Sequence, residues 1–133
     1  MARLSLPAVL ASVDRVRAFL QESRAPLEPR EDDFFKIELA VVELCVNISR
    51  YAFPDGHGEM AVEIETNDRT ATVTISDEGI AFDPRTVPKP DVSWILATGR
   101  TGGLGIYLAR TLTDRFDYRR EDGRNVLTLA KKF

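Results

Sequence analysis

The sequence is poor in the residues that usually announce a metal centre or a covalent staple. It holds one cysteine (Cys45), one histidine (His57), one tryptophan (Trp94) and two methionines among 133 residues. A single cysteine excludes an intramolecular disulfide and a cysteine-based zinc site, and it fits a reducing cytoplasm. No apolar run approaches the about 18 residues of a membrane span. Met1-Ala2-Arg3 leads into a segment broken by Pro7, with no signal-peptide core. The chain is therefore expected in the cytoplasm, neither exported nor bound to a membrane. Dense Lys/Arg runs are lacking too: 18 basic against 21 acidic residues give a net charge of −3, so direct nucleic-acid binding is not expected. Internal repeats and low-complexity segments are absent.

What is present suits one globular domain spanning 1–133: 44% hydrophobic and 29% charged residues, enough for a conventional core. Residues 2–6 alternate as a short strand, and Pro7 suits the first turn of a helix in which Val9, Val13, Val16 and Leu20 recur, to residue 23. Pro26 and Pro29 mark a connector, and Glu31-Asp32-Asp33 places acids at the start of a second helix expected over 32–52. Turn chemistry at Pro54-Asp55-Gly56-His57-Gly58 precedes two strands, 59–66 and 70–76. Residues 77–101 show no clear period and read as a lid or a disordered segment. A helix from Leu104 to Asp114 and strands at 115–121 and 124–132 complete the chain. The order predicts an α+β fold, a two-layer α/β sandwich with helices on one face of a mixed, mostly antiparallel sheet.

Three constellations carry chemistry. The second helix is apolar around most of its circumference, yet Lys36, Glu43, Asn47 and Arg50 fall in one narrow stripe. A carboxylate there needs a partner. Either an internal Lys36–Glu43 or Glu43–Arg50 ion pair serves, or Asn47 offers a neutral oxygen to Mg²⁺ while Glu43 accepts a proton. In Ile75-Ser76-Asp77-Glu78-Gly79 an acid ends a strand before a glycine. That is an ordinary turn, or a carboxylate that accepts from an exocyclic amine where Gly79 lets a flat ring approach. Thr98-Gly99-Arg100-Thr101-Gly102-Gly103-Leu104-Gly105 runs into a helix. It is a plain linker, or a phosphate lid built from backbone N–H groups with Arg100 and Thr101. It is neither a Walker loop nor a Rossmann fingerprint, because no Gly-Lys-Ser/Thr follows and the glycines are wrongly spaced. His57 reads as a solvated turn residue, Cys45 as a small core residue, and Trp94 as an anchor or a cover for the site.

The order of these motifs resembles a known family. Glu43-x-x-x-Asn47 on a helix, Asp77-x-Gly79 ending a strand, Gly102-Gly103-Leu104-Gly105 opening a helix and a closing Asn125-Val126-Leu127-Thr128 strand look like the Bergerat ATP-binding fold. Within it, the chain resembles the anti-sigma-factor serine/threonine protein kinases over nearly its whole length. The resemblance implies ATP and Mg²⁺ as cofactors, with Asn47 holding the metal and Asp77 binding the adenine amino group. Thr128 would support Asp77 beneath the base, and Gly79, Gly103 and Gly105 would line the nucleotide. Arg50, Phe82, Arg100, Thr101, Gly102 and Leu104 complete the implied nucleotide-binding set. Glu43 would be the general base for a Ser/Thr hydroxyl of an anti-anti-sigma (STAS-domain) partner. A sigma factor is the second partner the resemblance suggests, and homodimerisation is typical of relatives.

Two positions depart from the pattern: Ala81 stands where broader Bergerat ATPases often have glycine, and Tyr51 where some relatives have histidine. Two functions compete, a kinase that works in partner switching and a non-catalytic ATP-binding module that acts by partner exchange only. Glu43 favours the first. A detached histidine-kinase catalytic domain ranks below both, since no phosphoacceptor-helix segment precedes the motifs.

Overall fold

Alternation of small apolar and polar residues builds the sheet. In the computed structural model, which describes residues 1–24, 31–67, 69–99 and 104–133, the strands are β1 (Ala2–Pro7), β2 (Glu59–Thr66), β3 (Thr70–Asp77), β4 (Arg115–Glu121) and β5 (Arg124–Lys132). They form one five-stranded sheet in the order β1-β2-β3-β5-β4. In β3, Ala71, Val73 and Ile75 are buried while Thr72, Thr74 and Ser76 between them are half-buried, the period of two that sends alternate side chains to opposite faces. Register carries the apolar face across the sheet: Ile75 pairs with Val62 and Leu127, and Val73 with Ile64 and Leu129.

Helices cover that face alone, so the two-layer α+β architecture is the expected one. They are α1 (Val13–Arg24), α2 (Glu31–Tyr51), α3 (Val92–Thr98) and α4 (Leu104–Leu112). α2 is the central rod, with Phe34, Ile37, Ala40, Val41, Leu44, Cys45 and Ile48 all buried. It packs between α1 and α4 and lies on β3 and β5. Full burial of each large aliphatic side chain in this cluster stabilises the fold by about 1.5–3 kcal/mol.

Three expectations are corrected. Every strand pairing among the described residues is antiparallel, so the sheet is not mixed. Pro7 does not open a helix. It ends β1 opposite Glu59, Val9 stays extended, and a 3-10 turn at Leu10–Ser12 leads into α1 at Val13. At a strand's end on the sheet edge the missing proline N–H leaves no broken ladder bond. Residues 77–99 are also more regular than their proline content suggested. Asp83 caps a 3-10 turn at Pro84–Thr86 by accepting from the Arg85 N–H, and Asp91 accepts from the Ser93 N–H at 2.9 Å at the start of α3. Both are side-chain caps of helical first turns.

Candidate functional site

The inward period of β3 runs one step past Ile75 to Asp77, a carboxylate only 4% exposed. Burying it without partners would be costly. Its Oδ1 accepts from the Gly79 N–H at 2.8 Å and from Asn125 Nδ2 at 3.0 Å. Its Oδ2 carries no hydrogen bond among the described residues.

Asn125 stands opposite Asp77 in the β3–β5 register and is 5% exposed. Its amide is fully engaged. Nδ2 donates to Asp77 and to the Ile80 carbonyl at 2.8 Å, while Oδ1 accepts from the Phe82 N–H at 3.2 Å and the Tyr118 hydroxyl at 2.7 Å. The partners settle which end of the amide is oxygen, since a carbonyl only accepts and an N–H only donates. From β4, Arg120 donates to the Gly79 carbonyl at 2.8 Å, and the Arg85 guanidinium lies 5.9 Å from the Tyr118 ring centroid. The same Arg85 is paired with Asp83, and its hydrogen bond holds the Asp83 carboxyl below the usual carboxylate range.

The turn after β3 docks on the C-terminal end of α2. Ile80 N–H donates to the Ala52 carbonyl at 2.9 Å, one of the acceptors that a helix end leaves open. Gly79 is required there: a Cβ at this position would fall 2.5 Å from the Ala52 carbonyl oxygen and 2.6 Å from the Ala52 Cβ. Between helix and turn lies a pocket of about 90 Å³ whose lining includes Leu44, Asn47, Ile48, Asp77, Phe82 and Leu127. Its rim is apolar and open to solvent, with Tyr51 65%, Ile80 53% and Phe82 40% exposed. The pocket is thus a mostly greasy slot with one carboxylate and two carboxamides.

One turn before Asn47 on α2, Glu43 faces α4, where Gly105 leaves room for its carboxylate. Neither Glu43 nor Asn47 makes a hydrogen bond or ion pair among the described residues. Lys36 pairs with Asp33 at 3.9 Å, so the internal ion pairs weighed from sequence do not form. A buried-side carboxylate and a carboxamide without partners are groups available to a ligand. The pair could accept a proton and offer a neutral oxygen to a hard cation. No cluster of three or more His, Cys, Asp or Glu that could hold a metal exists among the described residues, so a metal here would come with other ligands of its own.

The structure brings Asn47, Asp77 and Phe82 to one pocket, places Gly79 in the adjoining turn where its N–H meets Asp77, and sets Glu43 beside Gly105 at the start of α4 next to half-buried Leu104. Arg100, Thr101, Gly102 and Gly103 lie outside the described residues, as does the Trp94 side chain. Arg50 is exposed and lies outside the lining of this pocket. One sequence expectation is corrected. Thr128 does not support Asp77: it pairs with Thr74 and Asp117, three residues along β5 from Asn125, and the period of two puts its side chain on the outer face. Asn125 holds Asp77 instead. His57 is exposed in a turn where its N–H donates to Asp55 Oδ1, and Cys45 is fully buried, which pushes its thiol up to about 12 and leaves it a core residue.

Sequence reasoning missed Asn125 as a site residue, along with Tyr118 and Arg120. The available signal was a polar residue at an inward position of a strand whose next inward positions are Leu127 and Leu129.

Comparison with known proteins bears on the family and the fold. A family model described as the histidine kinase-like ATPase domain matches residues 6–131. Serine-protein kinase RsbW of Bacillus thuringiensis (strain Al Hakam) is 30% identical over 100 residues, covering 72% of this chain and 62% of that protein. RsbW of Bacillus anthracis (strain A0248) is 28% identical with the same coverage. The chain therefore spans less than two thirds of the length of these relatives. Among solved structures, the RsbU and RsbW domains of a Mycobacterium tuberculosis protein superpose with a TM-score of 0.60 at 19% identity, over 100% of this chain and 33% of that one. The SiaB-SiaC complex of Pseudomonas aeruginosa gives a TM-score of 0.52 at 15% identity, over 98% and 89%. At these identities the two structures speak for the fold. With the family model spanning nearly all of the sequence and RsbW serine-protein kinases aligned over most of it, the chain belongs to the histidine kinase-like ATPase domain family and is similar, within it, to those kinases.

Proposed function

We propose that this chain binds ATP with the adenine in the pocket beside Asp77, and that it transfers the γ-phosphoryl group to a serine or threonine hydroxyl of an anti-anti-sigma STAS-domain protein in the cytoplasm. The observation that carries the reading is Asp77. A buried carboxylate with one oxygen tied and the other unpaired, in a slot of apolar side chains, suits a flat ring that presents an amino group. The volume of about 90 Å³ accommodates a ring rather than an entire nucleotide, so ribose and phosphates would extend beyond it, past Asn47 and toward α4.

Magnesium fits the donor set. Asn47 offers one unpaired neutral oxygen, and Mg²⁺ keeps waters and phosphate oxygens as its other ligands, so one protein ligand is enough. When bound, the ion supplies charge neutralisation on the phosphates. The chain's own contribution is alignment and proton removal. The partner's hydroxyl oxygen bonds to the γ-phosphorus, the bond from that phosphorus to the bridging oxygen of ADP breaks, and the hydroxyl proton passes to the Glu43 carboxylate. The RsbW relatives are named serine-protein kinases, which supports protein serine as the acceptor class.

Incubation of the purified protein with γ-labelled ATP, Mg²⁺ and a STAS partner should label that partner on Ser or Thr. Glu43→Gln should lower transfer by about 10²–10⁴-fold while ATP still binds, measured by calorimetry. ATP binding without transfer to any STAS partner would leave a module that works by partner exchange. Undiminished transfer by the variant would remove Glu43 from the base role.

A further inference from the structure

The amide of Asn125 touches Asp77, the turn after β3 and β4 at once. It contacts Asp77 Oδ1, the Ile80 carbonyl, the Phe82 N–H and the Tyr118 hydroxyl, all within 3.2 Å. Every donor and acceptor position of the amide that these partners can use is filled. The consequence falls on the carboxylate. With Oδ1 held by Asn125 and Gly79, rotation of the carboxylate out of its present plane would give up two hydrogen bonds, and a half-turn only exchanges two equivalent oxygens, so one oxygen always stays unpaired in the Oδ2 position.

We propose that Asn125, locked by Tyr118, is a positioning residue for base selectivity: it fixes the Asp77 carboxylate so that Oδ2 faces a ligand's exocyclic amine. The inference rests on the adenine reading of this pocket. Tyr118 enters because an asparagine amide can turn over, exchanging oxygen for nitrogen. That turn is opposed because it would set an amide N–H against the Phe82 N–H and the amide oxygen against the Ile80 carbonyl and the Asp77 carboxylate, while the Tyr118 phenol, bonded at 2.7 Å, tethers the amide to β4. β4 thereby governs ligand choice without entering the pocket lining.

The proposal separates from a merely structural role by the ratio of two affinities. Inosine triphosphate carries an oxygen where ATP carries the amine and a proton on N1 where adenine has a lone pair, so it withholds the exocyclic amine from Asp77 while its sugar and phosphates are unchanged. Calorimetric titration of the full chain with each nucleotide and Mg²⁺ should show wild type preferring ATP by about tenfold or more. Asn125→Ala should bring the ratio close to one by weakening ATP far more than inosine triphosphate, and Tyr118→Phe should narrow it several-fold. Circular dichroism and thermal melting report whether each variant folds, and if Asn125→Ala does not, the Tyr118→Phe ratio decides. Equal losses for both nucleotides, or a ratio unchanged from wild type, would overturn the positioning role. A wild-type protein that binds ATP no better than inosine triphosphate would overturn the adenine reading itself, an outcome distinct from the failure of Asn125 alone.

Discussion

Gly105, the second residue of α4, faces Glu43 of α2 so closely that a Cβ there would fall 2.4 Å from Glu43 Oε2 and 3.3 Å from its Cδ. Glycine inside a helix costs about 1 kcal/mol relative to alanine, so the space it leaves has to serve something. What it admits is the free end of a carboxylate that has no other partner among the described residues.

Gly105→Ala is therefore expected to separate stability from chemistry. The obstructing atom is the far end of a flexible side chain, which can swing away, and alanine favours the helix. Unfolding free energy should stay within about 1 kcal/mol of wild type. Phosphoryl transfer should fall by about 10- to 100-fold with ATP affinity retained, because a displaced base no longer meets the attacking hydroxyl. Urea unfolding and labelled transfer measure the two sides, and full activity in the variant would show that the Glu43 position does not matter.

Gly79→Ala should behave in the opposite way. Its new methyl group would meet the Ala52 carbonyl oxygen and the Ala52 Cβ, parts of the α2 terminus that cannot swing aside. Relief requires the turn to lift from α2, which strains the Ile80–Ala52 hydrogen bond and the Asn125 contacts to Ile80 and Phe82. A loss of about 1–3 kcal/mol in stability is expected from overpacking of this kind, together with weaker ATP binding. A variant as stable as wild type would show that the turn has slack.

Much of this was legible in the residues because it follows from periodicity. The apolar circumference of α2 announced a buried rod, and the polar stripe on it announced Glu43 and Asn47. Asp77 was legible because the period of two in β3 carries a polar residue to the inward face at the strand's end. Asn125 and Thr128 show where the signal stopped. They are three residues apart on β5, so they project to opposite faces, and only the pairing register with β3 says which one meets Asp77. Register is a property of two strands together and is written in neither. Tyr118 and Arg120 were hidden for the same reason, reaching the site from β4, which among the described residues pairs only with β5. The regular turns within 77–99 were masked by their prolines, although Asp83 and Asp91 stood in capping positions.

The carboxylate of Asp114 gives the fold an acid-sensitive tie. Its Oδ2 accepts from the Lys132 N–H at 2.6 Å and lies 3.6 Å from Lys131 Nζ, joining the end of β5 to the junction between α4 and β4. That backbone hydrogen bond, with the nearby lysine charges, lowers the Asp114 pKa below its ordinary value. A depressed folded-state pKa means that the stabilisation is present above the unfolded value, near about 3.9, and is lost as pH falls through the folded value. Asp114→Ala should thus be less stable than wild type at pH 6 by about 1 kcal/mol or less, a figure discounted for the solvent that screens this partly exposed group. The gap should close as the pH falls below about 4, where the wild-type carboxylate takes up its proton. Thermal melts of both proteins across that range test the sign, and a gap that stays constant with pH would mean that the carboxylate's charge contributes nothing to the tie.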